Sequence, residues 1–129
     1  MMAALMAPAK ILIADDSALM HKLMTALLPG IALVHAMDGS EALSRLAEHP
    51  DLSLMIVDLE MPTMNGLELI RRLETAGVLA RVPVVVMTTE GREHDAVACL
   101  RAGAAAYLRK PFQHQELVDL VAALGAHGR

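Results

Sequence analysis

The chain has 129 residues, 55% of them hydrophobic, which suits one compact domain with a sizeable core and argues against intrinsic disorder. Its net charge is −4 and its basic residues form no run, so a nucleic-acid backbone is not expected as a partner. A single cysteine, Cys99, excludes an intrachain disulfide, and no apolar run reaches the ~20 residues that span a bilayer. We therefore expect a cytoplasmic protein and no membrane insertion.

Five short apolar runs predict β-strands. Each run is nearly continuous instead of alternating with polar residues, which is typical of parallel strands that are buried on both faces. In chain order the runs cover residues 11–14, 31–36, 52–57, 82–87 and 105–108.

Segments with helical periodicity follow each of these runs. The first places Met20, Leu23, Met24 and Leu27 on one face and is stopped by Pro29 and Gly30. The others run over about 40–49, from Asn65 to Gly77, across Val97 and Leu100 to Gly103, and across Leu117, Leu120, Val121 and Leu124. Five strand–helix units predict an α/β fold, a doubly wound parallel sheet of five strands with helices on both faces. We expect it to occupy residues 10–125, with a disordered or extended lead-in at 1–9 and a short tail at 126–129.

Polar residues stand where these predicted strands end. Asp15 and Asp16 end the first strand, Asp58 ends the third, Thr88 follows the fourth and Lys110 follows the fifth. In open α/β sheets the functional site forms at the carboxyl ends of the strands. These side chains are therefore predicted to converge on one edge of the sheet.

Three carboxylates that lie close together repel one another, and burial increases the cost. A hard divalent cation with oxygen ligands relieves that repulsion, and Mg²⁺ is the natural choice, with Mn²⁺ as a substitute. Three carboxylates, the Lys110 ammonium and one dication sum to zero formal charge. A neutral site of this kind can accept a phosphoryl dianion, and an aspartate can serve as the acceptor.

Each residue also has a plainer interpretation. An aspartate before a helix is commonly an N-cap, which remains open for Asp16, and Asp58 alone could form a turn. Thr88 alone fits a strand end, and Lys110 alone fits a solvated surface. Their joint occurrence at the strand ends of one sheet favours a shared chemical role.

The chain resembles the receiver domain of bacterial response regulators, the CheY-like family. Four segments carry the resemblance, at residues 11–17, 58–66, 83–90 and 103–112, and it extends over roughly 10–124. It implies a flavodoxin-like (βα)5 fold with strand order 2-1-3-4-5. It also implies a phosphoacceptor domain that catalyses its own phosphorylation and dephosphorylation without being a conventional enzyme.

The resemblance assigns roles to the acidic residues. Asp58 matches the phosphoacceptor, Asp16 matches a direct Mg²⁺ ligand, and Asp15 positions metal and water. The backbone carbonyl of Glu60 is implied as a further ligand.

Other roles implied by the resemblance belong to the switch. Lys110 matches the lysine that contacts the phosphoryl group, and its peptide bond to Pro111 is expected to be cis. Thr88 matches the switch hydroxyl and Tyr107 the aromatic ring that turns inward as that hydroxyl moves.

The implied donor is a sensor histidine kinase or a histidine phosphotransfer protein. The implied output surface comprises the fourth helix, the fifth strand and the fifth helix, and it would contact a downstream target protein. The protein itself would be a monomer or a phosphorylation-linked homodimer. Both a single-domain regulator and part of a longer protein fit the sequence.

Three residues near the predicted site depart from the common pattern. Thr89 is bulkier than the alanine often found there, and Glu60 and Glu90 add negative charge. We hypothesise that Thr89 narrows access to Asp58, and that Glu60 and Glu90 either slow its reaction with small anionic phosphodonors or tune hydrolysis of its phosphate.

Three other functions share features with this sequence. A flavin- or nucleotide-binding module would need a Gly- or Ser/Thr-rich phosphate loop where Asp15 and Asp16 stand. A haloacid-dehalogenase-like phosphatase would carry an Asp-x-Asp motif at the end of its first strand, whereas Asp15 and Asp16 are adjacent here. The third is a degenerate receiver that acts as an unphosphorylated protein-binding scaffold.

The six histidines show no metal-ligand spacing and are predicted to be surface or helix-end residues, and Cys99 is predicted to be a buried structural thiol.

Overall fold

A computed structural model of the protein describes residues 9–89 and 91–125. Its five strands are all parallel and form one sheet in the order β2-β1-β3-β4-β5, which confirms the predicted fold class and strand order. The strands are β1 (Lys10–Ala14), β2 (Ala32–Ala36), β3 (Leu54–Asp58), β4 (Val84–Thr89) and β5 (Ala106–Lys110). Most of the predicted lead-in (residues 1–8) and the predicted tail (126–129) lie outside the described residues.

Five α-helices alternate with the strands and cover both faces of the sheet. They are α1 (Ala18–Leu27), α2 (Gly39–Glu48), α3 (Gly66–Thr75), α4 (Glu93–Ala102) and α5 (His114–Leu120). A 3₁₀ turn, Val78–Ala80, precedes β4, and a π-helical turn, Val121–Gly125, continues α5. One apolar core lies between the sheet and α1 and α5, and the other lies between the sheet and α2, α3 and α4. Among the described residues, no helix is long and apolar enough to cross a membrane.

Side-chain caps fix where three of the helices begin. Ser17, Asp38 and Asn65 accept hydrogen bonds from backbone N–H groups three residues later, at 3.2, 2.7 and 2.9 Å. Because Ser17 caps α1, Asp16 does not serve as its N-cap, and the plainer interpretation of that residue is wrong. The Asp16 side chain is exposed and free to face the site.

The two edge strands are less buried than predicted. β1 and β3 are almost fully buried, whereas β2 and β5 contain exposed residues along their length, so burial on both faces was a wrong prediction for these two. An edge strand has a neighbour on one side only, and the helices cover it incompletely. Two residues that were predicted to face inward, Leu23 and Val97, are also exposed, at 40% and 42%.

The ends of β4 differ from the prediction for a clear chemical reason. The apolar run begins at Val82, but the strand begins at Val84, because Pro83 has no N–H to donate to a ladder. The carbonyl of Pro83 still accepts a hydrogen bond from Met55 at 3.0 Å. At its other end β4 continues to Thr89, so Thr88 lies within the sheet itself.

Candidate functional site

The three aspartates meet at the carboxyl edge of the sheet. Ala14 of β1 lies opposite Val57 of β3, and this register places Asp15 and Asp58 side by side. Oxygen atoms of Asp15, Asp16 and Asp58 all lie within 4.8 Å of one another. Asp15 and Asp58 are buried, whereas Asp16 is exposed and forms the outer wall of the cluster.

Hydrogen bonds hold Asp15 in place. Its carboxylate Oδ1 accepts from the backbone N–H of Ser17 at 2.8 Å, and its own N–H donates to the carbonyl of Ala36 at 3.1 Å. The Asp15 carbonyl lies 2.7 Å from Nε2 of His21. With both sides of its backbone engaged, Asp15 presents Oδ2 to the centre of the site.

Lys110 connects the two buried aspartates. It lies on β5, which is separated from β3 by β4, and its side chain extends across β4 to the cluster. Its Nζ donates to Oδ2 of Asp15 at 3.3 Å and to Oδ1 of Asp58 at 3.2 Å. Burial alone would lower the pKa of Lys110, but the carboxylates of Asp58 and Asp15 outweigh burial and raise that pKa. The peptide bond that follows, between Lys110 and Pro111, is cis.

One ammonium does not balance the acidic cluster. Burial, and after it the negative charge of Asp15, raises the pKa of Asp58 from 3.8 to about 6, against the attraction of Lys110. The buried site thus keeps an excess of negative charge when all its carboxylates are ionised. Three converging carboxylates with such an excess are a donor set that fits a hard divalent cation.

Thr88 and Tyr107 lie on the same face of the sheet. In the pairing of β4 with β5, Val86 is opposite Tyr107, and Thr88 lies two residues after Val86 on the same face of β4. Because Val86 packs in the core that includes α4, the side chains of Thr88 and Tyr107 both point towards α4. The Thr88 hydroxyl is buried and donates to the carbonyls of Thr89 and Arg92 at 3.3 and 3.4 Å. The Tyr107 ring is turned outward and is 42% exposed.

A cleft of about 440 Å³ opens beside the cluster, between the loops that follow β3 and β4. Glu60 and Arg92 line it and pair across it, with 3.1 Å between Glu60 Oε2 and Arg92 Nη1, and Arg92 Nε also contacts Asp95 at 3.0 Å. The negative charge of Glu60 is therefore compensated, which the sequence did not predict. Thr89 is exposed at the end of β4, whereas Glu90 lies outside the described residues.

The sequence did not indicate Arg92 as a residue near the site, because its partner Glu60 is remote along the chain.

The position of His21 was predicted wrongly. It is 8% exposed and its Nδ1 lies 2.7 Å from Nδ1 of His35, so its prediction as a surface residue was wrong. The spacing of His21 three residues before Met24, which places both on the inner face of α1, was a signal for this burial. Cys99 is fully buried, which confirms the burial that was predicted for it.

Comparison with known proteins gives consistent matches over nearly the whole chain. The family model of the response regulator receiver domain matches residues 11–122. Chemotaxis protein CheY1 of Helicobacter pylori is 32% identical over 113 residues, which cover 85% of this chain and 91% of that protein. The two-component response regulator PhoP of Pseudomonas aeruginosa is 42% identical over 118 residues, which cover 89% of this chain but 51% of PhoP.

Solved structures match the fold as well. The crystal structure of Vibrio cholerae chemotaxis protein CheY4 superposes with a TM-score of 0.82 at 28% identity, covering 92% of this chain and 99% of that one. The region that the family model matches, residues 11–122, includes the ends of β1 and β3, which carry the acidic cluster, and β5, which supplies Lys110.

Proposed function

The chain belongs to the response regulator receiver domain family of two-component signalling, and from this we propose that Asp58 accepts a phosphoryl group from a phosphohistidine. The donor is a sensor histidine kinase or a histidine phosphotransfer protein. We further propose that residues 10–125 form the receiver domain that performs this reaction.

The observation that carries the proposal is the position of Lys110. Its ammonium lies within hydrogen-bonding distance of both Asp15 and Asp58, at 3.3 and 3.2 Å, inside a cluster of three carboxylates. A surface lysine would gain little from such burial, whereas a lysine that must contact phosphoryl oxygens has to lie there. The same contacts orient the Asp58 carboxylate.

Asp15, Asp16, Asp58 and the backbone carbonyl of Glu60 would hold Mg²⁺, or Mn²⁺ in its place. The carboxylate oxygens within 4.8 Å of one another and the raised pKa of Asp58 support this assignment. When bound, the cation supplies the positive charge that the cluster lacks.

In the transfer, a carboxylate oxygen of Asp58 forms a bond to phosphorus while the bond from phosphorus to the donor imidazole nitrogen breaks. The imidazole keeps the electron pair of that bond, and because its other ring nitrogen already carries a proton, it leaves as the neutral ring. Lys110 stays with the phosphoryl oxygens and offsets the charge that they bring. The cleft beside Glu60 and Arg92 admits the donor to Asp58.

Phosphorylation would then change the hydrogen bonding of Thr88. Its hydroxyl makes long bonds to the carbonyls of Thr89 and Arg92, at 3.3 and 3.4 Å, and a charged phosphoryl oxygen is a stronger acceptor. As the hydroxyl moves towards Asp58, it vacates space on the face that it shares with Tyr107. The exposed ring can turn into that space, which remodels the surface of α4, β5 and α5 for a downstream target or for a phosphorylation-linked homodimer.

The proposal is tested by transfer of ³²P from a phosphorylated histidine kinase in the presence of Mg²⁺. We expect label on the wild-type protein that is lost in Asp58→Asn and in excess EDTA. Asp51→Asn is the matched control, because Asp51 is an exposed aspartate that pairs with Lys10 outside the site. Equal labelling of the Asp58→Asn variant and the wild type would contradict the assignment of the acceptor.

A second readout uses Mg²⁺ with beryllofluoride, which mimics a phosphoryl group on the aspartate. We expect it to shift the NMR resonances of Asp58, Thr88 and Lys110. A wild type that takes up no label and does not respond to beryllofluoride would favour the degenerate scaffold, in which the acidic cluster no longer performs chemistry. Turnover of free phosphomonoesters would favour the phosphatase alternative.

A further inference from the structure

A groove of about 800 Å³ runs between α3 and α4, and none of its residues lines the cleft beside Asp58. Its walls are the second half of α3 and most of α4. The residues that matter for recognition are two arginines, a glutamate, a histidine and an apolar strip: Arg71, Arg101, Glu74, His94, Val97 and Ala98.

The two arginines of this groove are free to bind an anion. Within residues 9–89 and 91–125, the side chains of Arg71 and Arg101 are exposed and form no ion pair. By contrast, Arg45, Arg72, Arg92 and Arg109 each have a carboxylate partner.

The acidic residues of the same two helices are mostly engaged elsewhere. Glu68 pairs with Arg72 at 2.9 Å, and Glu93 pairs with Arg109 at 3.2 Å. Asp95 pairs with Arg92 on the side of the cleft. Glu74 is the acid that lines the groove, so two arginines face one carboxylate there, on a protein whose net charge is −4. The local positive charge complements an acidic ligand.

The groove also offers apolar surface between its arginines. Val97 lies on α4 four residues before Arg101 and is 42% exposed, although its helical position predicted burial. Ala98 and Ala102 are small and half-buried beside it, which leaves the space that defines the groove. An exposed valine and two small alanines in a groove that also holds cationic side chains suit a ligand that combines an apolar stripe with flanking carboxylates.

The helical walls of the groove favour a helix over an extended strand as its ligand. A bound strand needs unpaired backbone N–H and C=O groups, which a sheet edge provides. Both walls here are helices whose backbone groups bond internally, so recognition must come from side chains. A helix that lies along the groove meets the walls with residues at i, i+4 and i+7.

We propose that the groove between α3 and α4 docks an acidic amphipathic helix of a partner protein. Its apolar stripe packs on Val97, and its flanking carboxylates pair with Arg71 and Arg101. This surface shares α4 with the α4–β5–α5 output face but extends from α4 towards α3 instead of β5, and none of its residues lines the cleft beside Asp58. It gives the domain a second contact through which a partner can be held.

The test uses two synthetic helical peptides as probes. Both have leucine at positions i, i+4, i+7 and i+11, and their flanking positions are all glutamate in one peptide and all lysine in the other. Binding to the full chain is measured by fluorescence anisotropy and located by NMR. We expect the glutamate peptide to bind at least about tenfold more tightly and to shift resonances of α3 and α4.

Variants of the protein assign the binding to the groove. Arg71→Glu with Arg101→Glu should weaken binding of the glutamate peptide about tenfold or more, and Val97→Asp should weaken it as well. Arg81→Glu is the matched control, because Arg81 is exposed and lies outside the groove. Urea unfolding of each variant checks that the fold is retained.

Three outcomes would overturn the proposal. One is equal affinity for the two peptides, and a second is an effect of Arg81→Glu as large as that of the double variant. The third is concentration-dependent dimerisation, seen by sedimentation, that Val97→Asp abolishes, since the groove would then serve a second copy of the chain. Loss of ³²P transfer to Asp58 would refute the phosphoacceptor role and leave the peptide result unaffected.

Discussion

Asp58→Asn should stabilise the metal-free protein at neutral and alkaline pH. Asp58 is 8% exposed and lies beside Asp15, and the pKa of its carboxyl group is raised from 3.8 to about 6. The folded state therefore holds the proton of Asp58 more tightly than the unfolded chain does. Ionisation of this residue destabilises the fold, and asparagine removes that ionisation while keeping nearly the same shape.

The size of the effect follows from the pKa difference. Each unit of pKa corresponds to ~1.4 kcal/mol, so the change from 3.8 to about 6 amounts to about 3 kcal/mol. The penalty appears as the pH rises from the unfolded value of 3.8 to the folded value of about 6, and it is complete above that. We expect Asp58→Asn to be more stable than wild type by up to about 3 kcal/mol at pH 8, and by less than about 1 kcal/mol at pH 4.

The assay is urea unfolding of both proteins in EDTA at a series of pH values from 4 to 8, followed by circular dichroism. Asp51→Asn is the control. A hydrogen bond from Lys10 lowers the pKa of Asp51, so its ionised form favours the folded state and that contribution is lost as the pH falls. Asp51→Asn should therefore not stabilise the protein at pH 8.

Addition of Mg²⁺ provides a second comparison. At a concentration about 100 times its Kd, the cation should stabilise wild type by ~2.7 kcal/mol and the Asp58→Asn variant by less. The reasoning fails if Asp58→Asn is no more stable than wild type in EDTA at pH 8. It also fails if the difference between the two proteins does not change between pH 4 and pH 8.

Three further predictions concern the site and its support. Lys110→Ala should lower the rate of phosphoryl transfer to Asp58 at least about tenfold, measured with a phosphorylated kinase, because it removes the ammonium that we propose contacts the phosphoryl oxygens. An unchanged rate would remove Lys110 from the proposed mechanism. Tyr107 is the single tyrosine of a chain without tryptophan, so its fluorescence would report the proposed switch directly. Iodide quenching of that fluorescence should fall when beryllofluoride and Mg²⁺ are added to wild type and stay constant in Thr88→Ala. Gly66→Ala should destabilise the fold by about 1–3 kcal/mol in urea, because the new Cβ would lie 2.8 Å from the Asp58 carbonyl oxygen, whereas Gly125→Ala meets contacts of 3.8 Å and should be close to neutral.

Much of this protein could be predicted from the order of its residues. Continuous apolar runs and helical periodicities are local patterns, and they were sufficient for five strands, five helices and a parallel sheet. The rule that sites form at the carboxyl ends of parallel strands then placed Asp15, Asp16 and Asp58 together. That prediction needed no distances, because adjacent strands in register bring their ends together.

The tertiary structure decided which side chains meet between elements. The reach of Lys110 across β4 to two aspartates depends on strand order and side-chain direction, and the pairing of Arg92 with Glu60 joins loops far apart in the chain. The burial of His21 and the exposure of Val97 depend on how α1 and α4 are rotated against the sheet. A periodicity shows that a helix has an apolar face, but the space left by neighbouring helices determines which of its residues are covered, and that space exists only in the folded chain.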